Sequence, residues 1–521
     1  MRSRIFANNI RPRAQRSQNV AARKDDYLVF DFEALGLKVH TDQPIQGGFV
    51  KLDENFDITD RVNISIRRNK YSIPGPKALE VTGVSPEDLD NEDRTTEFEA
   101  ANVIGTILGG QRGNGKRIFT GYNTLSYDEQ LLRYFFFRNF QYPYITSGSS
   151  SRKLDLFQAV RLLSFLRPGL IKPGHDTEGK VSWKLEVVIE ANGIEKGQSH
   201  DALGDSIMTA GLLHRFHDHA PDVLTSLVEM SNQKRVSGWL KNMISADDHL
   251  YLFTYYEGPE MHPIIPVLET ASKGILCIDL SKDPEAWVNS TPEELLEAGG
   301  AFGKDVPFKV VRPNSCPYLF ASDDPLIATK VQEQELSPEE LSKRIEFMKT
   351  PQIKEKMAAF ARLMDKERED KFSEAPLTDE QTLYGGAFPD KFVSRAFCAA
   401  ENWEKRVSLV ENMTDKRLRA FGNRLIAMHA PSELQTSESL EVMRKEIIMR
   451  LEGGPELFGA VTTMAEAREQ LDTVNDVSVR EQCAQYLDAL ELRLQQEIRD
   501  IDQRIFPDDD ACDPGTQLSL F

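Results

Sequence analysis

Four carboxylates and one imidazole carry the chemistry this chain could perform. The run Tyr27-Leu28-Val29-Phe30-Asp31-Phe32-Glu33 is apolar until it ends in two acids. Side chains alternate along a strand, so Asp31 and Glu33 project from one face while Phe30 and Phe32 point the other way, into a core. Two acids on one strand face repel unless a cation sits between them, a costly choice for a purely structural strand. The bland alternative is a strand that simply ends in solvated acids before a turn at Gly36. Further along, Ser126-Tyr127-Asp128-Glu129 has the pattern of a helix start, with Ser126 as N-cap and Glu129 three residues on. That places Asp128 in the first helical turn. A later helix puts Ala202, Asp205, Thr209, Leu212 and Phe216 on one face, an acid within a largely apolar stripe. His200 can lean over the same place from the preceding loop, although a lone histidine there also suits a cap or a surface position.

Hard oxygen ligands of this number, Asp31, Glu33, Asp128 and Asp205, suit two Mg²⁺ ions, with Mn²⁺ able to substitute. Two such ions about 4 Å apart can clamp the attacking and leaving oxygens of a phosphodiester during in-line displacement. A histidine beside them is the residue type suited to act as a base near neutral pH. The expected chemistry is metal-assisted phosphodiester hydrolysis, with His200, Asp31, Glu33, Asp128 and Asp205 as the catalytic set.

The elements that must position these groups alternate. After the strand at 27–32 come two runs with strand alternation, at 47–53 and 62–67, which extend a sheet whose edge is the first strand. A short helix stopping at Gly83, a helix near 96–108, a strand at 117–121, and helices at 154–166, 184–191 and 199–216 follow. This is an α/β pattern with a mixed sheet. The aromatic run Tyr134-Phe135-Phe136-Phe137 is read as core in preference to a base-stacking platform. From about 219 the texture turns to short strands at 250–256, 274–280 and 306–311, with a helix at 291–298 among them. Beyond about 330 it is helical, near 337–365, 390–429, 433–452 and 463–505.

A chain of 521 residues needs more than one core. No apolar run approaches the ~20 residues of a membrane span, so no membrane partner is expected. Five scattered cysteines without a CxxC pair argue against a zinc cage or a disulfide framework and fit a reducing, cytoplasmic setting. The formal charge of −19 would disfavour a nucleic-acid partner if it were evenly spread, but Arg2, Arg4, Arg11, Arg13, Arg16, Arg23 and Lys24 open the chain without an acid. Both ends read as disordered tails. An organellar transit peptide would also be Arg-rich, but the amphipathic apolar face is missing.

In order and spacing, Phe30-Asp31-Phe32-Glu33, Pro76 to Pro86, Gly121-Tyr122-Asn123, Tyr127-Asp128, Arg138-Asn139-Phe140, Ala191 to Glu195 and His200-Asp201-Ala202 resemble the DEDD superfamily of 3′ to 5′ exonucleases, in its histidine subclass. The closer likeness is to the bacterial exodeoxyribonuclease I family, and it continues through Val306 to Val311, Ser315-Cys316-Pro317 and Leu383 to Phe388. The resemblance implies an RNase-H-like exonuclease domain with a mixed sheet, a small SH3-like β-rich domain and a C-terminal helical domain. It gives boundaries of 1–25 for a basic tail, 26–218, 219–360 and 361–506 for the three domains, and 507–521 for an acidic tail. It further implies a monomer that draws single-stranded DNA through a groove and releases 5′-mononucleotides in repair and recombination. Asp31, Glu33, Asp128 and Asp205 would be the metal ligands and His200 the activator of water. Ala34 departs from the threonine that the family often carries after the glutamate, which removes a hydroxyl near the 3′ nucleotide.

Two partners come with the resemblance. The family binds the acidic C-terminal tip of single-stranded-DNA-binding protein, and Arg167, in the turn Leu166-Arg167-Pro168, is the candidate contact. The chain ends Gln517-Leu518-Ser519-Leu520-Phe521, which is similar to the pentapeptide that holds bacterial repair proteins on the replication sliding clamp, with Gln517, Leu518, Leu520 and Phe521 as the contacts. Two other readings remain open: a 3′ to 5′ exoribonuclease, and an inactive, clamp-tethered scaffold that binds single-stranded DNA.

Overall fold

The computed structural model describes residues 25–505 apart from short stretches at 110–115, 149–150, 198–199, 247, 301–305, 334–335, 374–376, 386–388, 390, 436 and 454–460. Both predicted tails, with the pentapeptide Gln517 to Phe521, lie outside the described residues.

The first sheet has the order β3-β2-β1-β4-β5, built from β1 (Asp26–Ala34), β2 (Pro44–Leu52), β3 (Ile58–Ser65), β4 (Arg117–Gly121) and β5 (Ser151–Asp155). β1 is therefore the central strand, not the edge that its sequence suggested. Its run Tyr27 to Phe30 is apolar on both faces, as a strand covered on both sides requires. β2 and β3 pair antiparallel, while β1, β4 and β5 run parallel. Leu28, Phe30, Phe32 and Ala34 pack on one side against α2 (Glu97–Gly109) and α3 (Asp128–Arg138), following α1 (Pro76–Thr82). Val29 packs on the other side with α4 (Leu156–Leu166), α5 (Leu185–Ala191) and α6 (Ala202–His219). The period of two thus sends Asp31 and Glu33 toward α6. Phe135, Phe136 and Phe137 are fully buried, as core residues should be.

After a two-stranded hairpin of β6 (Gly174–His175) and β7 (Val181–Ser182), helices α7 (Pro221–Met230) and α8 (Gln233–Met243) occupy a stretch the sequence reading gave to strands. A second five-stranded sheet follows, antiparallel throughout: β8 (Leu250–Tyr255), β9 (Pro259–Glu269), β10 (Ile275–Asp279), β11 (Phe308–Val311) and β12 (Leu319–Ala321), in the order β11-β10-β9-β8-β12. It shares a core with the first module, since Tyr251, Phe253, Tyr318 and Phe320 join the cluster that holds α4 and α6. Trp183 Nε1 donates to Tyr255 Oη at 2.9 Å, and Tyr318 Oη donates to the carbonyl of Asp155 at 3.0 Å.

The remainder is helical, as expected, but the long helices are divided where N-caps and prolines intervene. The expected helix at 337–365 is α11 (Pro338–Met348) and α12 (Pro351–Ser373), after α9 (Pro292–Glu297) and α10 (Ala328–Gln332). The stretch 390–429 becomes α13 (Lys391–Ala399), α14 (Trp403–Glu411) and α15 (Lys416–His429), with Asn402 and Asp415 as side-chain caps. α16 (Glu438–Leu451), α17 (Met464–Leu471) and α18 (Val477–Ile505) complete it. These helices clasp the first module. Phe98, Phe137 and Phe140 pack with Phe397 and Phe421, and Tyr71 and Ile73 pack with Ile448, Leu487 and Leu490.

Candidate active site

β1 outlasts its parallel partner. The β1–β4 pairing ends at Val29↔Thr120, so Asp31 and Glu33 stand at the open C-terminal end of a central parallel strand, where α/β sheets place their ligands. On the antiparallel side Asp31 faces Gly48 and Glu33 faces Gln46. α6 crosses over this edge very closely: a Cβ on Gly48 would overlap the backbone of Ala202 and Leu203. Ser206 Oγ donates to the carbonyl of Gly48 at 3.1 Å and locks the approach. That approach carries Asp205, in the first turn of α6, to the strand.

Oxygens of Asp31, Glu33 and Asp205 come within 4.8 Å of one another. Asp128 is the fourth acid, at the start of α3, but one of its oxygens is committed: Oδ1 accepts the amide of Phe32 at 3.0 Å. Ser126 does not cap α3 as its sequence position suggested. Its hydroxyl instead turns back to the Asn123 carbonyl at 2.8 Å and to Asn123 Oδ1 at 2.6 Å, and Glu129 pairs with Arg133 and Lys153. The Asp128 side chain thereby becomes a bridge from helix to strand.

Burial pushes the Asp31 carboxyl well above the usual carboxylate range, and Asp128, Glu33, Asp205 and Asp201 push it further. Burial, then Asp205 and Asp128, raises Glu33 from 4.5 to about 8. Asp205 and Asp128 each rise to about 7, again mainly through burial, against the pull of the His200 amide on the former and the Phe32 amide on the latter. Carboxylates forced together in this way fit a hard divalent cation, which relieves both the desolvation and the repulsion.

His200 lies on the loop into α6 with its side chain exposed and its backbone at φ 58°. Its backbone amide reaches the Asp205 carboxylate. Asn123, at the other rim, also has a left-handed backbone, φ 63°. Backbone strain at both rims is common where a site over-determines the chain. Arg167 sits away from this cluster, capping the end of α4, with Nη2 3.0 Å from Asp222 Oδ2 on α7.

Several positioning residues escaped the sequence reading. Asp155 caps α4 and accepts the amides of Asn123, Leu125 and Phe157 at 2.9–3.0 Å, fixing the loop that leads to Asp128. Asp201 is the N-cap of α6, accepting the Gly204 amide at 2.9 Å and the side chain of Gln46, the residue opposite Glu33. An aspartate just before an apolar helical stripe is a legible N-cap signal in both cases. The loop after Glu33 is held by the C-terminal helices: Lys38 Nζ lies 2.8 Å from Glu466 and donates to the Val461 carbonyl at 2.7 Å.

Residues 28–213, which carry every group of this site, match the exonuclease family (RNase_T). They form an exonuclease-family domain. Beyond that domain, the chain is similar to Exodeoxyribonuclease I of Haemophilus influenzae, 26% identical over 314 residues, or 56% of this chain and 64% of that relative. It thus spans a little under two thirds of the relative's length. Exodeoxyribonuclease I of Escherichia coli is 23% identical over 451 residues, 81% of this chain and 89% of that one. The solved structure of E. coli Exonuclease I in complex with a 5cy-dT13 oligonucleotide has the same fold, with a TM-score of 0.71 at 21% identity over 91% of this chain and 100% of that chain. The exonuclease domain is thus embedded in a fold shared across nearly the whole chain.

Proposed function

We propose that this protein is a Mg²⁺-dependent exodeoxyribonuclease that degrades single-stranded DNA from the 3′ end, releases 5′-mononucleotides and serves in DNA repair and recombination. The observation that carries the reading is the convergence of Asp31, Glu33 and Asp205 within 4.8 Å, with Asp128 beside them, at the open end of the central strand of an exonuclease-family domain. The likeness to exodeoxyribonucleases I supports exonucleolytic action and the choice of DNA.

Asp31, Glu33, Asp128 and Asp205 would hold the divalent cations. Bound there, Mg²⁺, or Mn²⁺ in its place, supplies Lewis-acid stabilisation to the attacking and leaving oxygens of the phosphodiester. Asp31, whose carboxyl is acted on by Asp128, Glu33 and Asp205, would be the central ligand of the set. His200, exposed on its loop, accepts the proton of the attacking water and passes it to solvent. The Asp205 carboxylate fixes the His200 amide, so ligand and base are positioned together.

Two tethers belong to the same proposal. Arg167 meets the acidic tip of single-stranded-DNA-binding protein by exchanging its exposed pairing with Asp222, and Gln517 to Phe521 engage the sliding clamp. Among the described residues no helix is long and apolar enough to cross a membrane, which is compatible with the proposed cytoplasmic setting. Turnover of labelled single-stranded DNA, duplex DNA and RNA, with and without Mg²⁺, tests the reading. Rapid loss of the single-stranded DNA alone, and only with the cation, supports it; equal loss of RNA, or loss in chelator, overturns it.

A further inference from the structure

A cavity of about 120 Å³ lies where the C-terminal helices clasp the exonuclease domain. Asp128 opens α3 and Arg138 closes it, so about 15 Å of helix lies between this cavity and the acids. Its polar lining comes from both parts of the molecule: Glu97 at the start of α2, Arg138 and Asn139 at the end of α3, and Glu380, Arg424 and Arg450 from the helical part. Phe421, Leu425 and Met428 of α15 and Ile447 and Leu451 of α16 supply apolar lining. Two buried atoms of the lining residues meet no partner among the described residues. Arg138 Nε donates to Glu97 at 2.6 Å and Nη2 to the carbonyl of Asp42 at 3.1 Å, but Nη1 has no acceptor. Asn139, 1% exposed, donates through Nδ2 to Glu97 at 3.1 Å and to the carbonyl of Phe135 at 2.9 Å, while its Oδ1 has no donor. Turning the amide over would set that oxygen against two acceptors, so the unmet atom is fixed as an acceptor. Arg424 is neutralised by Glu380 at 2.6 Å and Asp379 at 2.5 Å. Arg450, half-buried on α16, pairs with no carboxylate among the described residues.

A buried donor and a buried acceptor left in this state are costly, and the same cavity borders both. The chemistry that answers them is specific. A carboxylate suits the guanidiniums of Arg138 and Arg450, a hydroxyl or ammonium on the next carbon suits Asn139 Oδ1, and a short alkyl group suits Leu425 and Met428. Size narrows the class further. A dry cavity of ~150 Å³ holds benzene, so one of about 120 Å³ takes roughly six non-hydrogen atoms, and a nucleotide is several times too large. We propose that this cavity binds a small α-hydroxy or α-amino carboxylate, of the size of lactate or alanine, as an effector that ties the helical part to the exonuclease domain. Thr41, in the connection that leaves Glu33, also lines the cavity, and Arg138 ends the helix that Asp128 begins. The bound molecule therefore touches both segments that lead to the acids. Its effect on turnover rests on the nuclease reading; its binding does not.

The test is calorimetric titration of the full chain, in chelator and without nucleic acid, with L-lactate, L-alanine and propionate. Wild type, Arg450→Gln and Met428→Phe are compared. One site per chain takes up lactate or alanine with a dissociation constant between about 1 μM and 1 mM, the range that six atoms reach near the ceiling for very small ligands. Propionate, which lacks the donor for Asn139, binds about 3- to 10-fold more weakly. Arg450→Gln breaks no ion pair of the protein and weakens the site by about 10-fold or more, through the loss of a charge-assisted bond. Met428→Phe fills the space and abolishes uptake. No binding of any of the three at about 10 mM overturns the proposal and leaves the cavity to water. Propionate bound as tightly as the other two overturns the assignment to hydroxy and amino acids. Wild-type affinity for lactate in both variants also overturns it, because the molecule then binds elsewhere. The two readings fail separately: a clean titration with no cleavage of single-stranded DNA in Mg²⁺ sinks the nuclease assignment alone, and cleavage without any titration sinks the effector site alone.

Discussion

Replacing Glu33 by glutamine should make the metal-free protein more stable at neutral pH and leave it unchanged in acid. Glu33 is raised from 4.5 to about 8 in the folded state, first by burial and then by Asp205 and Asp128. A carboxyl raised on folding binds more protons in the native than in the unfolded state. Its stabilising contribution is therefore complete below the unfolded value and is lost as pH rises through the folded one. Each tenfold step in acidity is worth about 1.4 kcal/mol, so between pH ~4.5 and ~7.5 this single group costs the metal-free fold roughly 3 to 4 kcal/mol. Asp31, Asp128 and Asp205 are shifted the same way, partly by the same repulsion, so their contributions overlap and do not simply add. Glu33→Gln removes one charge and relieves its neighbours. At about 2–4 °C of Tm per kcal/mol for a domain of this size, the variant in chelator should melt roughly 6–16 °C higher near pH 7.5 and show no difference near pH 4.5. Mg²⁺ should raise the wild-type Tm near neutrality more than that of the variant. Thermal unfolding followed by circular dichroism at both pH values reads this directly. A wild type whose chelated stability is flat from pH ~4.5 to ~7.5, or a variant shifted equally at both, would refute the account of the cluster.

His200→Ala should lower turnover by ~10²- to 10⁴-fold at neutral pH while Mg²⁺ affinity, measured by calorimetry, survives; a collapse of affinity would make His200 a ligand. Gly48→Ala should push α6 off β2, costing about 1–3 kcal/mol in denaturant unfolding and more than tenfold in turnover, as Asp205 moves away from Asp31. Retained activity and stability there would mean that the helix can yield at no cost. Arg167→Glu should weaken stimulation by single-stranded-DNA-binding protein and deletion of 517–521 should abolish clamp binding, each with unchanged activity on naked DNA; a loss on naked DNA contradicts either tether.

The candidate site was legible because its residue types are ones that a plain core would avoid. Asp31 and Glu33 interrupt an apolar strand, and Asp205 interrupts an apolar helical face. What the chain did not advertise is how these pieces are held. β1 reads as an edge because its antiparallel neighbours follow it directly, whereas its parallel neighbour β4 returns only after two helices. β5, Ser-Arg-Lys-Leu-Asp, is too short and polar to stand out, and Asp155 reads as part of a helix although it is the cap that ends the strand. Three prolines hide β9, whose pairing with β10 shifts register at Leu276/Cys277, opposite Pro266. The Ser126 pattern matched a capping box, but its hydroxyl turns back to Asn123, three residues earlier, and the Asp128 carboxylate is taken by Phe32, a distant partner no local rule sees.

The most direct measurement is the fate of a 5′-labelled single-stranded oligodeoxynucleotide, resolved by length, with the wild type and with Asp31→Asn in Mg²⁺. The account predicts that the wild type shortens the strand from its 3′ end one nucleotide at a time and is silent in chelator. Asp31→Asn should leave the strand intact while melting no lower than the wild type. Near-normal shortening by Asp31→Asn, or an intact strand with folded wild type in both Mg²⁺ and Mn²⁺, would contradict it.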